Sequence, residues 1–342
     1  MNSHIKPFLG ASVKVSLFFV LIMSFVTVLL LGLLVFYRPT SLIELLQQFQ
    51  PSPTQTPFTI KGVGVIGDSQ SDEYRADDRR GSTYASTTMN WVELLAKYRK
   101  VDFGEWGLWE EPRRTGYAYN YARSGATANS MIISGQHIGV AQQVKDGNVN
   151  LVIIYIGAND FAPYITNDGY QAIYDGSISR AEILRKENIL VANIKTAIDT
   201  IRDAGNAKIL LIKIPDWGNH IGVQIAFPFP DQRLLVSNVI NETNNQLEIL
   251  AKTYSIPTID PNDFYKTINE SNGKNGVEIA GETFTRVIPS DDPHSLVLDD
   301  GVHPGTVMNG LFANYVMRAL NTNIGTSLKP FSQKEIFSAA GL

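Results

Sequence analysis

Four short stretches carry residue types that could do chemistry together: Gly67-Asp68-Ser69-Gln70-Ser71-Asp72, Asn120 to Thr127, Gly157-Ala158-Asn159-Asp160, and Asp300-Gly301-Val302-His303-Pro304. A serine hydroxyl is a poor nucleophile at neutral pH and needs an imidazole to take its proton as it attacks a carbonyl. His303 is the best-placed imidazole for Ser69. An acid bonded to the other ring nitrogen fixes the tautomer and stabilises the imidazolium that forms. Asp300, three positions earlier, can share a tight turn with His303 because Gly301 permits it, and Asp299 competes for the same role. Plainer readings stand beside these. Ser69 could cap a following helix, Asn159 could turn the chain in a left-handed conformation, and Gly125 could be a turn glycine.

Taken in this order, the four stretches resemble the SGNH hydrolases, the GDSL-type esterases and lipases, over roughly residues 60–320. The resemblance implies Ser69 as nucleophile, His303 as general base and Asp300 as the acid that orients it. It also implies three oxyanion donors: the backbone N–H groups of Ser69 and Gly125 and the side-chain amide of Asn159. Each such donor is typically worth ~2.7–4 kcal/mol when removed. The fourth letter of GDSL is Gln70 here, at a position the chemistry does not use directly. No bound cofactor is implied.

Positioning these loops requires strands that end where the chemistry begins. The runs VGVIGDS, LVIIYIGAND, KILLIKIPD and IPTIDP are apolar on consecutive positions, as in parallel strands covered on both faces. Between them, residues 180–205 repeat apolar side chains at helical spacing, with Gly205 as a carboxyl cap, and residues 231–254 do so with Asp231 as an amino cap. The pattern predicts a three-layer α/β/α sandwich with a central parallel sheet, a flavodoxin-like fold whose functional loops lie at the carboxyl ends of the strands. Asp68 and Asp72 are expected to fix the nucleophile turn through backbone amides, and Asp160 to cap the segment after it.

Ahead of this domain, residues 15–37 are uncharged and long enough to cross a hydrocarbon core as a helix. The expected organisation is a short tail (1–14), a transmembrane signal anchor (15–37), a Pro-rich linker (38–59), the hydrolase domain (60–325) and a C-terminal tail (326–342). Lys6 and Lys14 before the span and Arg38 after it weakly favour a cytoplasmic amino terminus, with the catalytic domain outside. The chain has no cysteine, which excludes disulfides and thiolate metal sites. Its formal charge of -4 carries no signature of nucleic-acid binding. His137, His220 and His294 lack metal-ligand spacing, and the cluster Asp291, Asp292 and His294 reads as surface.

Two insertions border the site. Residues 73–119 contain a helix over NWVELLAKYRK and a segment rich in aromatic and arginine side chains: Trp91, Trp106, Trp109, Tyr117, Tyr119, Arg79, Arg80, Arg113 and Arg114. These either pack the helix on the sheet or line a substrate wall. Residues 266–298 include a hairpin turning near Gly281. The resulting expectation is a membrane-anchored serine esterase that removes a small acyl group from a carbohydrate or cell-envelope compound through an acyl-enzyme on Ser69. Its rivals are a lipid esterase or phospholipase and, from another class, an inactive membrane-anchored binding protein on the same fold.

Overall fold

A computed structural model of the chain describes residues 57–342, except 77–79, 164–168, 271–276 and 286–287. The proposed tail and anchor, the first part of the linker and Arg79 lie outside the described residues. Among the described residues no helix is long and apolar enough to cross a membrane. The described residues belong to one compact unit.

Strand β1 (Val63–Gly67) is buried along its whole length. Helix α1 (Trp91–Arg99) follows, started by an Asn90 and Glu93 capping box, and then a hairpin of β2 (Trp106–Leu108) and β3 (Thr115–Tyr117). Residues 119–123 return beside the outer edge of β1: Val65 N–H donates to Tyr119, Tyr121 N–H to Val65 and Arg123 N–H to Gly67. Helices α2 (Ala128–Ile133) and α3 (Gln136–Lys145) lead to β4 (Leu151–Tyr155). After α4 (Gly169–Tyr174) and the long α5 (Arg180–Ala204) come β5 (Lys208–Ile212), α6 (Ile221–Ala226), α7 (Pro230–Thr253) and β6 (Thr258–Ile259). Helix α8 (Pro261–Glu270), the hairpin β7 (Val277–Ile279) and β8 (Glu282–Phe284), α9 (Thr306–Asn323) and α10 (Gln333–Ala340) complete the chain.

The main sheet has the order β1-β4-β5-β6 and every pairing is parallel. Period-two alternation divides its side chains between two apolar layers. Val63, Val65, Leu151, Ile153, Leu210 and Ile212 face α1, α9, α10 and the β7–β8 hairpin. Ile66, Val152, Ile154, Ile209 and Leu211 face the layer that holds α2, α3, α4, α5 and α7. Helix α5 buries Leu190, Ile194, Ala197, Ile198 and Ile201 on one stripe, and each large apolar side chain so buried contributes about 1.5–3 kcal/mol.

Because β1 has residues 119–123 on one side and β4 on the other, the chain reverses its direction of travel across the sheet at β1. Such a switch point opens a crevice beyond the strand ends, and Ser69 lies there.

Several details differ from the sequence reading. The amino cap of α7 is Phe229 rather than Asp231, because Pro230 occupies the first helical position, where its missing N–H costs nothing. Gly205 is the carboxyl cap of α5 as expected, its N–H donating to the Arg202 carbonyl, with an extended backbone at φ 163. Phe58 N–H donates to the Gly325 carbonyl at 2.8 Å, so the end of the linker is already tied to the domain. The segment read as a C-terminal tail carries α10, which buries Ile336, Ala339 and Ala340 in the first apolar layer.

Candidate active site

Ser69 occupies a hydrogen-bonded turn at the carboxyl end of β1, in which the N–H groups of Ser71 and Asp72 both donate to the Asp68 carbonyl. No helix begins there, so the helix-cap reading of Ser69 falls. Asp68 Oδ1 accepts from Gln70 N–H at 2.9 Å, and Asp72 Oδ2 accepts from Ser124 N–H at 2.8 Å. The Asn120 amide donates to the Ser71 carbonyl at 2.8 Å. The second stretch is thereby fastened to the Ser69 turn at Asn120 and at Ser124.

His303 is 7% exposed, as is Ser69. Its Nδ1–H donates to Asp300 Oδ2 at 2.6 Å, while Asp300 Oδ1 accepts the backbone N–H groups of Val302 and His303. A carboxylate can only accept, so the proton sits on Nδ1 and the neutral ring presents Nε2 as an acceptor. That Nε2 is buried without a hydrogen-bond partner, and no hydrogen bond joins it to Ser69 in this structure. Burial would raise the Asp300 carboxyl, but the His303 hydrogen bond and charge and the two N–H donors outweigh it, holding the group well below the usual carboxylate range.

Asp299 does not pair with the imidazole; burial and the nearby Asp291 push its carboxyl up. The Tyr74 ring meets His303 edge-on, with centroids 6.1 Å apart, and Tyr74 OH donates to the Pro304 carbonyl. Arg80 donates to Asp300 Oδ2 at 2.8 Å.

Gly125 is exposed with φ 76, and open space lies where a side chain would begin. Asn159 follows β4 in a short 3-10 turn and its amide donates to the Ala126 carbonyl at 3.0 Å. The left-handed residue of that turn is Gly157, with φ 115, and not Asn159. Asp160 Oδ2 accepts the Ala128 N–H at 2.8 Å, so it caps the first turn of α2 rather than the segment after itself. Burial drives both Asp68 and Asp160 up to about 7, against the backbone N–H groups that lower them, and the charge of Asp160 adds to the rise of Asp68.

The sequence profile of the GDSL-like lipase/acylhydrolase family matches residues 63–316. The chain belongs to that family. It is a GDSL-type carboxylic ester hydrolase. Comparison with curated protein sequences gives no match. Among solved structures, an extracellular lipase from Streptomyces rimosus is 17% identical over 77% of this chain and 99% of its own, with a TM-score of 0.45. An acylhydrolase described as putative, from Bacteroides fragilis, is 15% identical over 83% of this chain and 97% of its own, with a TM-score of 0.40. A phospholipase A1 from Streptomyces albidoflavus is 13% identical over 78% of this chain and 100% of its own, also with a TM-score of 0.40.

In this GDSL hydrolase the described part of the 73–119 insertion has a buried portion and an exposed one. Trp91 is fully buried and packs α1 onto the sheet, and Arg113 forms a buried ion pair with Glu73 at 2.8 Å. Gly116, with φ 115, leaves room for that guanidinium; a Cβ there would lie 2.0 Å from it. Trp106 and Trp109 are part-exposed on the β2–β3 hairpin, with Arg75 stacked 3.5 Å above Trp106. Glu111 in the hairpin loop pairs with Arg123, two residues before Gly125. The β7–β8 hairpin turns at Ala280 and Gly281 and buries Phe284 against Phe337. Asp291, Asp292 and His294 are a surface group: His294 bonds Asp292 and Glu282, and no metal-holding cluster exists among the described residues.

Sequence reasoning missed Arg80 as a partner of Asp300 and Asp72 as the anchor of Ser124. Neither contact has a spacing signal, since the partners are 220 and 52 residues apart.

Proposed function

We propose that the chain is a membrane-anchored serine esterase that works through an acyl-enzyme on Ser69. His303 takes the Ser69 proton and Asp300 stabilises the resulting imidazolium; the N–H groups of Ser69 and Gly125 and the Asn159 amide receive the oxyanion. In the second half, His303 activates the water that releases the acyl group. The observation that carries this reading is the His303 ring, tied through Nδ1 to Asp300 and left with a buried, unpartnered Nε2. A base waiting for a proton has that arrangement, and such hydrogen bonds commonly close only when substrate arrives.

For the substrate, the reading is a small acyl group on a carbohydrate or related cell-envelope compound. The part-exposed Trp106 and Trp109, on a hairpin paired to the oxyanion loop through Glu111 and Arg123, suit the flat faces of sugar rings. One observation favours long acyl chains instead. Ile225 and Phe229 are 64% and 62% exposed just after Gly222, whose backbone abuts Gly301 of the catalytic loop. The uncharged stretch at residues 15–37 supports an anchor with the catalytic domain outside the cytoplasm.

A fluorophosphonate probe tests the chemistry: labelling is expected in the native chain and absent in Ser69→Ala, and labelling that persists in the variant would overturn the assignment. A panel of acetylated sugars, short aryl esters and phospholipids tests the substrate. No turnover of the sugars together with good turnover of long-chain lipids would move the reading to a lipid esterase.

A further inference from the structure

The oxygen of Asp300 that holds the imidazole is shared. Oδ2 accepts His303 Nδ1–H at 2.6 Å and an Arg80 guanidinium N–H at 2.8 Å. The same guanidinium reaches Ser124 Oγ at 3.4 Å, next to Gly125, and its carbon lies 5.6 Å from the centre of the Tyr74 ring that faces His303. Arg80 therefore spans the crevice between the acid loop and the oxyanion loop.

We infer that Arg80 is a positioning residue that acts through Asp300, withdrawing part of its negative charge from His303 and so keeping the base competent at lower pH. The inference rests on the serine-esterase reading above.

The physical argument begins with the pair alone. A carboxylate on Nδ1 stabilises the imidazolium, which helps the transition state but also favours a resting ring that is already protonated and useless as a base. A permanent cation on the same oxygen opposes that protonation. The orientation of Asp300 does not depend on Arg80, because Oδ1 is held separately by the N–H groups of Val302 and His303. The distinct contribution of Arg80 is thus electrostatic.

Other groups facing the ring do not duplicate it. His220, at the start of α6, is pushed down to about 4 by burial and by the charge of His303, against a backbone hydrogen bond at Val302, and so stays neutral. Burial keeps the Tyr74 phenol protonated. Among the described residues no lysine and no other arginine pairs with Asp300. Both side chains of the pair keep some solvent contact, 15% for Arg80 and 31% for Asp300, so the effect is moderate and not absolute.

The test compares the full-length chain with Arg80→Gln, Arg80→Met and Arg80→Lys. Two readouts are taken: the pH dependence of kcat/KM on a neutral short-chain aryl ester, and the NMR titration of the His303 ring, assigned with His303→Gln. In both neutral variants the acid limb and the ring midpoint are expected to move to higher pH by about half to one unit. Lysine should remove most of that shift, while KM and the alkaline plateau of the variants stay within about threefold of the native values. Superimposed acid limbs and ring titrations would overturn the inference. So would a tenfold rise in KM with an unmoved limb, which would make Arg80 a substrate contact, or loss of fold in both neutral variants, which would make it a strut. If the chain hydrolyses no ester on the panel, the esterase reading fails by itself, and the ring titration still decides the role of Arg80.

Discussion

The side-chain amide of Asn159 donates to the carbonyl of Ala126 at 3.0 Å, joining two loops that are 33 residues apart. The bond fixes the plane of the amide beside Gly125, the other donor proposed for the oxyanion. Asn159→Ala removes a preorganised donor, so kcat should fall on the order of 10²–10³-fold with KM little changed. Steady-state kinetics on a short aryl ester checks this, and an equal rise in KM would place Asn159 in ground-state binding instead.

Gly125→Ala tests the same wall from the backbone side. At φ 76 a Cβ meets strain but no neighbour, so stability should drop by about 1 kcal/mol, read by thermal or urea unfolding. The methyl would also stand where the reacting carbonyl is proposed to lie, and fluorophosphonate labelling should slow. Unchanged labelling would move the carbonyl away from Gly125.

Asp300→Asn leaves a group of the same shape but lets the imidazole take the wrong tautomer. A loss in kcat on the order of 10³–10⁴-fold is expected, with the labelling rate falling in parallel. Asp299→Asn should leave both near native, because Asp299 does not contact the ring.

Asp68 and Asp160 make stability depend on pH. Both are raised by burial from 3.8 to about 7, so the folded chain binds these protons more tightly than the unfolded chain. Their contribution is fully present below about 4 and is lost as pH rises through about 7. Unfolding free energy should therefore be lower at pH 8 than at pH 5 by about 2–3 kcal/mol for each of the two groups. Asp160→Asn keeps an acceptor for the Ala128 N–H and should flatten the slope; a native slope in the variant would remove Asp160 from the account.

Glu73 and Arg113 are 0% and 4% exposed, and Glu73 also accepts the Tyr117 N–H. Glu73→Gln strands a buried guanidinium and should cost about 3–5 kcal/mol, measured by urea unfolding. Replacing both residues with methionine should recover part of that loss. If the double variant is no better than the single one, the hydrogen bonds of Glu73 matter more than its charge.

Much of this molecule is readable along the chain. Apolar runs ending in GDS and GAND marked β1 and β4, and the spacing of Ile194, Ile198 and Ile201 marked α5, because burial on one face leaves a period in the sequence. Asp300 and His303 were legible as a pair because one tight turn joins them. Residues 119–123 were not read as an element, since a segment that pairs on one edge through backbone atoms needs no apolar run. Arg80 was visible only as one arginine among several; its meaning comes from Asp300, which the fold alone brings near.

The meeting of Gly222 and Gly301 carries a further consequence. A Cβ on Gly222 would sit 2.0 Å from the Gly301 oxygen, so α6 and the turn bearing Asp300 and His303 touch main chain to main chain, with no side chain between them to yield. Any enlargement or tilt of α6, made to admit a bulkier ester past Ile225 or Phe229, would press directly on the turn that carries Asp300 and His303. Under the proposed mechanism, a change of selectivity made at α6 is therefore expected to change the rate as well.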